Sequence, residues 1–203
     1  MISIAVTGGA ACGKSAFCKR FEGFVSGDGC RIFSSDEIVA ELLETPEIVS
    51  AIQDIPDAAP LVSKGRVEKR SLRKLVFENS GFRENLESIL HPRVLDRLQV
   101  LTGRLRSERV VVLIEVPLLY EVEFPVSRDV DLVVAASPKT QNDRLTRLRG
   151  LDPDLARRIL SSQLPIEEKI ERGGLVVWND GSEAVFNNQI RHLADRCQPY
   201  LNE

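Results

Sequence analysis

No excess of basic charge marks this chain. Its 203 residues hold 27 Lys and Arg against 30 Asp and Glu, a net charge of −3, and the cations are spread along the length. A dedicated nucleic-acid surface shows a basic patch, so no nucleic-acid partner is expected. Long apolar runs are missing too. The longest, residues 110–114 and 116–120, fall far short of the ~20 residues that span a bilayer, so no membrane partner is expected. Residues 1–6 have neither a charged start nor a cleavable apolar stretch, so no signal peptide is expected. There are only two histidines, and the four cysteines (Cys12, Cys18, Cys30, Cys197) form no CxxC pair. A structural zinc site or a disulfide framework is therefore not expected, and the cytoplasm is the expected location. Internal repeats and low-complexity tracts are absent. With 43% hydrophobic residues, the chain can fill one good core. One domain carrying insertions is expected, since domains run to ~100–200 residues.

What is present alternates. Short β-branched runs at residues 2–6, 31–33, 110–114, 132–135 and 175–178 are continuously apolar, as parallel strands buried on both faces are. Helical patterns lie between them. Phe17, Phe21 and Val25 fall at i, i+4, i+8 and predict one apolar stripe on a helix over residues 15–25. Ser34 with Glu37 has the spacing of a capping box. Thr45-Pro46, Ser137-Pro138 and Asp152-Pro153 each set a cap residue before a proline at the first helical position. The pattern predicts an α/β domain with a parallel sheet. Two stretches interrupt it. Residues 37–108 read as helices only; Leu86, Ile89, Leu90, Val94, Leu98, Leu101 and Leu105 mark the longest, with a kink expected at Pro92. Residues 139–172, rich in Arg and Glu, have the character of a lid.

The chemistry centres on Gly8-Gly9-Ala10-Ala11-Cys12-Gly13-Lys14-Ser15, which fits G-x-x-x-x-G-K-[ST]. Glycines let backbone N–H groups turn inward around phosphate oxygens, and the following helix adds its positive end. Lys14 would reach the β- and γ-phosphates, and the Ser15 hydroxyl would bind Mg²⁺. The motif directly follows an apolar strand and opens an amphipathic helix, the context it requires. A dinucleotide fingerprint fails, because it needs glycine at Ala10. ATP·Mg is therefore the expected ligand of Gly9, Ala10, Ala11, Cys12, Gly13, Lys14 and Ser15. A thiol inside such a cradle is unusual. The helix N-terminus and Lys14 both favour thiolate, so Cys12 is expected to be reactive and to be protected by ATP·Mg, the other reading being that it only fills the space of a small residue.

Further residues have two readings each. Asp36, just past the second strand, either accepts the proton of an attacking hydroxyl or only offsets a helix dipole. Glu115 ends the third strand and either holds Mg²⁺, directly or through water, or bonds a neighbouring loop. Arg144 and Arg147, three apart and so expected on one helix face, either clamp phosphoryl charge or form a solvated basic face.

Several ordered segments carry a resemblance across nearly the whole chain. Thr7–Ser15 resembles the TGG-x-x-x-GKS segment of the dephospho-coenzyme A kinase family. Arg70-Ser71-Leu72 with Val76-Phe77, Leu86-Glu87-Ser88-Ile89-Leu90-His91-Pro92 and Pro117-Leu118-Leu119-Tyr120-Glu121 are similar to further family segments. So are Gln141-x-x-Arg144-Leu145-x-Arg147, Gln163 with Lys169, and Asn179-x-Gly181.

The resemblance implies a P-loop NTPase three-layer fold with a five-stranded parallel sheet, a helical substrate-binding insertion (37–108) and a helical lid (139–172). The core is then 1–36, 109–138 and 173–203. It implies transfer of the ATP γ-phosphoryl group to the ribose 3′-hydroxyl of dephospho-coenzyme A. The implied roles are Asp36 as base, Arg144 and Arg147 in a closing lid, and Asn179 near adenine. Arg70, His91 and Arg93 would take the acceptor. A monomer or weak homo-oligomer is expected. Three departures stand out. Ser34-Ser35-Asp36 replaces D-A-D, Glu115-Val116-Pro117 replaces D-x-P, and Gly173-Gly174 replaces an Ala-Asp pair. Two other readings are kept: another small-metabolite P-loop kinase, or a nucleotide-dependent binding switch. A GTPase switch would want N-K-x-D, and that tetrapeptide is absent.

Overall fold

The computed structural model describes residues 1–25, 27–63 and 65–202, with the side chains of Ala59 and Phe77 outside the description. In chain order the elements are β1 (Ile2–Thr7), α1 (Lys14–Phe24), β2 (Cys30–Ser34), α2 (Ser35–Leu42), α3 (Pro46–Gln53), β3 (Val62–Ser63) and β4 (Arg66–Val67). They continue with α4 (Lys69–Glu78), α5 (Ser80–Arg104), β5 (Val111–Glu115), β6 (Val130–Ala135) and α6 (Pro138–Asp143). A π-helical segment, Arg144–Leu148, leads to α7 (Pro153–Ser161), α8 (Ile166–Arg172), β7 (Leu175–Trp178) and α9 (Glu183–Asn202). The chain divides into two compact units, one of residues 1–34 and 102–203, the other of residues 35–101.

The first unit is built on a five-stranded sheet in the order β2-β5-β1-β6-β7, every neighbouring pair parallel. Its central strands are the apolar runs of the sequence. Val111, Val112, Leu113 and Ile114 of β5 and Val133, Val134 and Ala135 of β6 are fully buried, as strands covered on both faces must be. On α1 the stripe of Phe17 and Phe21 packs into this core with Phe186, Ile190 and Ala194 of α9. Burying one such phenylalanine is worth roughly 1.5–3 kcal/mol. β7 departs from the expectation of a strand buried on both faces. It is the sheet edge, and Leu175, Val176 and Trp178 are each about two-fifths exposed.

The second unit has its own core, in which Ile48, Val49 and Ile52 of α3 meet Leu86 and Leu90 of α5. The helices-only reading of this stretch is corrected by an antiparallel hairpin, in which Val62 pairs with Val67 and Ser63 with Arg66. Two β-branched residues flank a turn whose Gly65 has φ 72°, a left-handed value suited to glycine. α5 runs through Pro92 without a break and ends at Arg104, one residue short of Leu105. The Arg93 guanidinium donates to the Ile89 carbonyl at 2.8 Å, close to where the proline removes a helix donor. Helix starts at Ser137 and Asp152 are capped by their side chains. Thr45 differs: its hydroxyl donates to the Leu42 carbonyl at 2.8 Å rather than accepting from the helix it precedes.

Candidate active site

The site grows from the end of β1. Gly8 has φ 142°, and a Cβ there would lie 2.0 Å from the Val134 carbonyl oxygen of β6. Gly13 is left-handed at φ 99°, and its Cβ would meet Asn179 Nδ2 at 2.6 Å. Neither position admits a side chain, which is why the loop needs glycine at both ends. Between them the loop doubles back, with Cys12 N–H donating to the Gly9 carbonyl at 3.3 Å. The Lys14 ammonium spans the loop, donating to the carbonyls of Gly8 and Gly9 at 3.0 Å each. A curled backbone, a helix N-terminus and a fixed cation together make an anion cradle.

Beside it lie the oxygens suited to a hard cation. Glu115 ends β5, in register with Val6 of β1, and its Oε1 accepts from the Ser15 hydroxyl at 2.7 Å. Mg²⁺ is bound through one or two protein oxygens, substrate phosphates and water rather than by an all-protein cage. One hydroxyl and one carboxylate beside a phosphate cradle fit that ion. Among the described residues no group of three or more His, Cys, Asp or Glu could hold a metal ion.

The two arginines expected on one helix face do different things. The π-helical segment closes with Arg149 N–H donating to the Arg144 carbonyl, a bond across five residues that breaks the three-apart spacing of an ordinary helix. Arg144 reaches the loop. It donates to the carbonyls of Ala11 at 3.1 Å and Asn179 at 2.7 Å. Arg147 is 79% exposed and faces Asp143 at 3.6 Å. Arg144→Ala is therefore expected to lower the melting temperature, since two carbonyls lose a charged donor worth about 1.5–3 kcal/mol each. Arg147→Ala should leave melting unchanged and lower kcat at least tenfold. Thermal melts and steady-state rates check both, and unchanged rates for Arg147→Ala would make it a solvated arginine. The Asn179 side chain also belongs to the loop, its amide donating to the Cys12 carbonyl at 2.8 Å.

Cys12 corrects an expectation. It is fully buried in the core cluster, and burial pushes its thiol up, against the opposing pull of Lys14 and Arg144. At neutral pH it is a packed thiol rather than a reactive thiolate. Iodoacetamide at pH 7 is expected to leave Cys12 of the native protein unlabelled and activity intact. Peptide mass mapping beside a rate assay tests this.

The remaining predicted residues lie in the second unit. Asp36 is exposed in the first turn of α2. Arg70 is exposed at the start of α4, where Glu68 caps the helix by accepting from the Arg70 and Ser71 N–H groups. His91 is half-buried on α5, and Arg93 pairs with Glu47 at 3.1 Å.

Two buried groups had no role assigned from the sequence. Gln141 donates to the Ala136 carbonyl at 2.9 Å and packs against Gly9. Lys169, fully buried on α8, pairs with Glu121 at 2.6 Å and donates to the Pro117 carbonyl at 2.9 Å. Breaking such a pair costs about 3–5 kcal/mol. Only their place in motif matches pointed to them.

A sequence profile described as dephospho-CoA kinase matches residues 2–184. The chain belongs to the dephospho-CoA kinase family. A dephospho-CoA kinase of Anaeromyxobacter dehalogenans is 33% identical over 95% of this chain and 90% of its own length. One from Thermobifida fusca is 28% identical over all of this chain and 99% of its own. A solved structure of a dephospho-CoA kinase from Campylobacter jejuni aligns over 96% of both chains with a TM-score of 0.65; at 22% identity it shows the shared fold.

Two of the chain's departures from the family pattern acquire a physical account. The Glu115 carboxylate, at the position of the family's aspartate, accepts from the Ser15 hydroxyl. Gly173-Gly174 lies tight on β6. A Cβ at Gly173 would meet Val133 Cγ2 at 2.6 Å, and one at Gly174 would meet Val130 Cγ2 at 2.9 Å. Valines on β6 fill the space an Ala-Asp pair would need.

Proposed function

We propose that this chain transfers the γ-phosphoryl group of ATP to the ribose 3′-hydroxyl of dephospho-coenzyme A, giving coenzyme A and ADP in the last step of coenzyme A synthesis. The observation that carries the reading is the phosphate loop with Ser15 on Glu115, within a chain whose family match runs over residues 2–184. Bound Mg²⁺, held by the Ser15 hydroxyl and by Glu115 directly or through water, would supply charge neutralisation at the β- and γ-phosphates. In the proposed reaction the acceptor 3′-oxygen bonds to the γ-phosphorus as the bridge to ADP breaks. The hydroxyl proton passes to the Asp36 carboxylate, and ADP leaves.

Gly9, Ala10, Ala11, Cys12, Gly13 and Lys14 bind the phosphates, Lys14 countering charge on the transferring group. Arg144 and Asn179 fix the loop from behind, and Arg147 joins the triphosphate as residues 139–172 close as a lid. Arg70, His91 and Arg93, in the helical insertion, bind the acceptor. Substrates are ATP and dephospho-coenzyme A, with no nucleic-acid or membrane partner and a monomer or weak homo-oligomer in the cytoplasm. In support, all four cysteines are free and no described helix is long and apolar enough to cross a membrane.

The test is a coupled ADP-release assay with dephospho-coenzyme A, nucleosides and nucleoside monophosphates offered separately. Turnover is expected with dephospho-coenzyme A, with the new phosphate on the 3′-oxygen. Turnover with a nucleoside monophosphate alone would overturn the acceptor assignment.

A further inference from the structure

One amide of the phosphate loop is held by a side chain from far along the chain. Ala10 N–H donates to Gln163 Oε1 at 2.8 Å, across 153 residues of sequence. Gln163 lies in the short link between α7 and α8, and that link is pinned. The next residue, Leu164, donates its N–H to Glu121 Oε1 at 3.0 Å. The same carboxylate oxygen is paired with the buried Lys169, whose ammonium also donates to the Pro117 carbonyl, two residues past Glu115. The Thr7 hydroxyl donates to that Pro117 carbonyl as well, at 3.3 Å, tying the end of β1 into the network. Gln163 is thus fixed from two sides against the rim of the cradle.

A primary amide does there what other side chains cannot. Its oxygen accepts from Ala10 while its NH₂ keeps two donors, and it carries no charge. A carboxylate would hold the same N–H but set a negative charge beside a triphosphate. An aliphatic chain would hold nothing. We propose that Gln163 is an ATP-binding residue: its oxygen anchors the rim of the loop by accepting the Ala10 N–H, and its NH₂ donates to a phosphate oxygen of the nucleotide. The buried Lys169–Glu121 pair acts through it as a positioning element. The inference rests on the kinase reading only in taking ATP as the ligand of the loop.

The experiment is a titration of ATP·Mg against the full chain without acceptor, in wild type, Gln163→Leu and Gln163→Glu. Losing one hydrogen bond to a charged oxygen weakens binding by roughly tenfold, so that is expected of Gln163→Leu. Gln163→Glu keeps the acceptor but adds like charge, and a loss of about a hundredfold is expected. Raising the salt concentration should narrow the gap between the two variants, because the added penalty is Coulombic. A purely structural role would not give that salt response. Should leucine distort the link, Gln163→Ala carries the same expectation. The proposal is overturned if Gln163→Leu binds ATP as well as or better than wild type, or if Gln163→Glu binds as tightly as Gln163→Leu. A wild-type chain that binds ATP with this ordering yet leaves dephospho-coenzyme A untouched would overturn the acceptor assignment and leave the inference standing.

Discussion

Lys14→Ala is expected to give a folded protein whose turnover is at least a thousandfold lower. Three powers of ten correspond to about 4 kcal/mol of lost transition-state stabilisation. That is the scale of removing one preorganised charge or donor from a reacting centre. The fold should survive. The ammonium donates to the Gly8 and Gly9 carbonyls, and each such bond is worth only about 0.5–1.5 kcal/mol net. The loop keeps its other anchors, the Arg144 and Asn179 side chains behind it and Gln163 at its rim. Circular dichroism and thermal melting establish folding, and the coupled ADP assay gives the rate. A folded Lys14→Ala protein that turns over near the wild-type rate would remove the loop from the mechanism.

Why parts of this arrangement are legible in sequence and parts are not follows from the range of the interactions. The loop is local: eight consecutive residues set its glycines, its lysine and its helix start, so their spacing reports them directly. Strands β5 and β6 are legible because burial on both faces makes residues 111–114 and 132–135 continuously apolar. β7 has the same apolar character yet is an edge strand, since nothing in Leu175–Trp178 says what covers it. The hairpin β3–β4 escapes notice because each strand is two residues long. Arg144 and Arg147 part company because helical spacing presumes an ordinary helix, and a π segment shifts the faces. Cys12 departs from its expectation because the helix N-terminus and Lys14, which favour thiolate, are visible in sequence, whereas the burial in the core cluster that outweighs them is not. The contact of Gln163 with Ala10 has no local signature at all.

A carboxylate at the end of β5 and one in the first turn of α2 should separate cleanly in kinetics. Glu115 ends β5 in the first unit, and Asp36 lies in the first turn of α2 in the second. Asp36→Asn preserves size and costs the first turn of α2 only about 0.3–1 kcal/mol of dipole interaction. It cannot take a proton, however, so kcat is expected to fall by about 10²–10⁴ with ATP affinity little changed. Glu115→Gln keeps an oxygen for the Ser15 hydroxyl, which preserves the 2.7 Å contact. It loses the charge that favours a divalent cation, so the Mg²⁺ concentration for half-maximal rate should rise by about tenfold or more. One assay, varied in acceptor, ATP and Mg²⁺, reads both signatures. An Asp36→Asn enzyme whose rate recovers fully at high Mg²⁺ would make Asp36 a metal-site group rather than the base. An Asp36→Asn enzyme unchanged in every constant would leave it a helix-start residue, and the proton acceptor would have to be sought elsewhere.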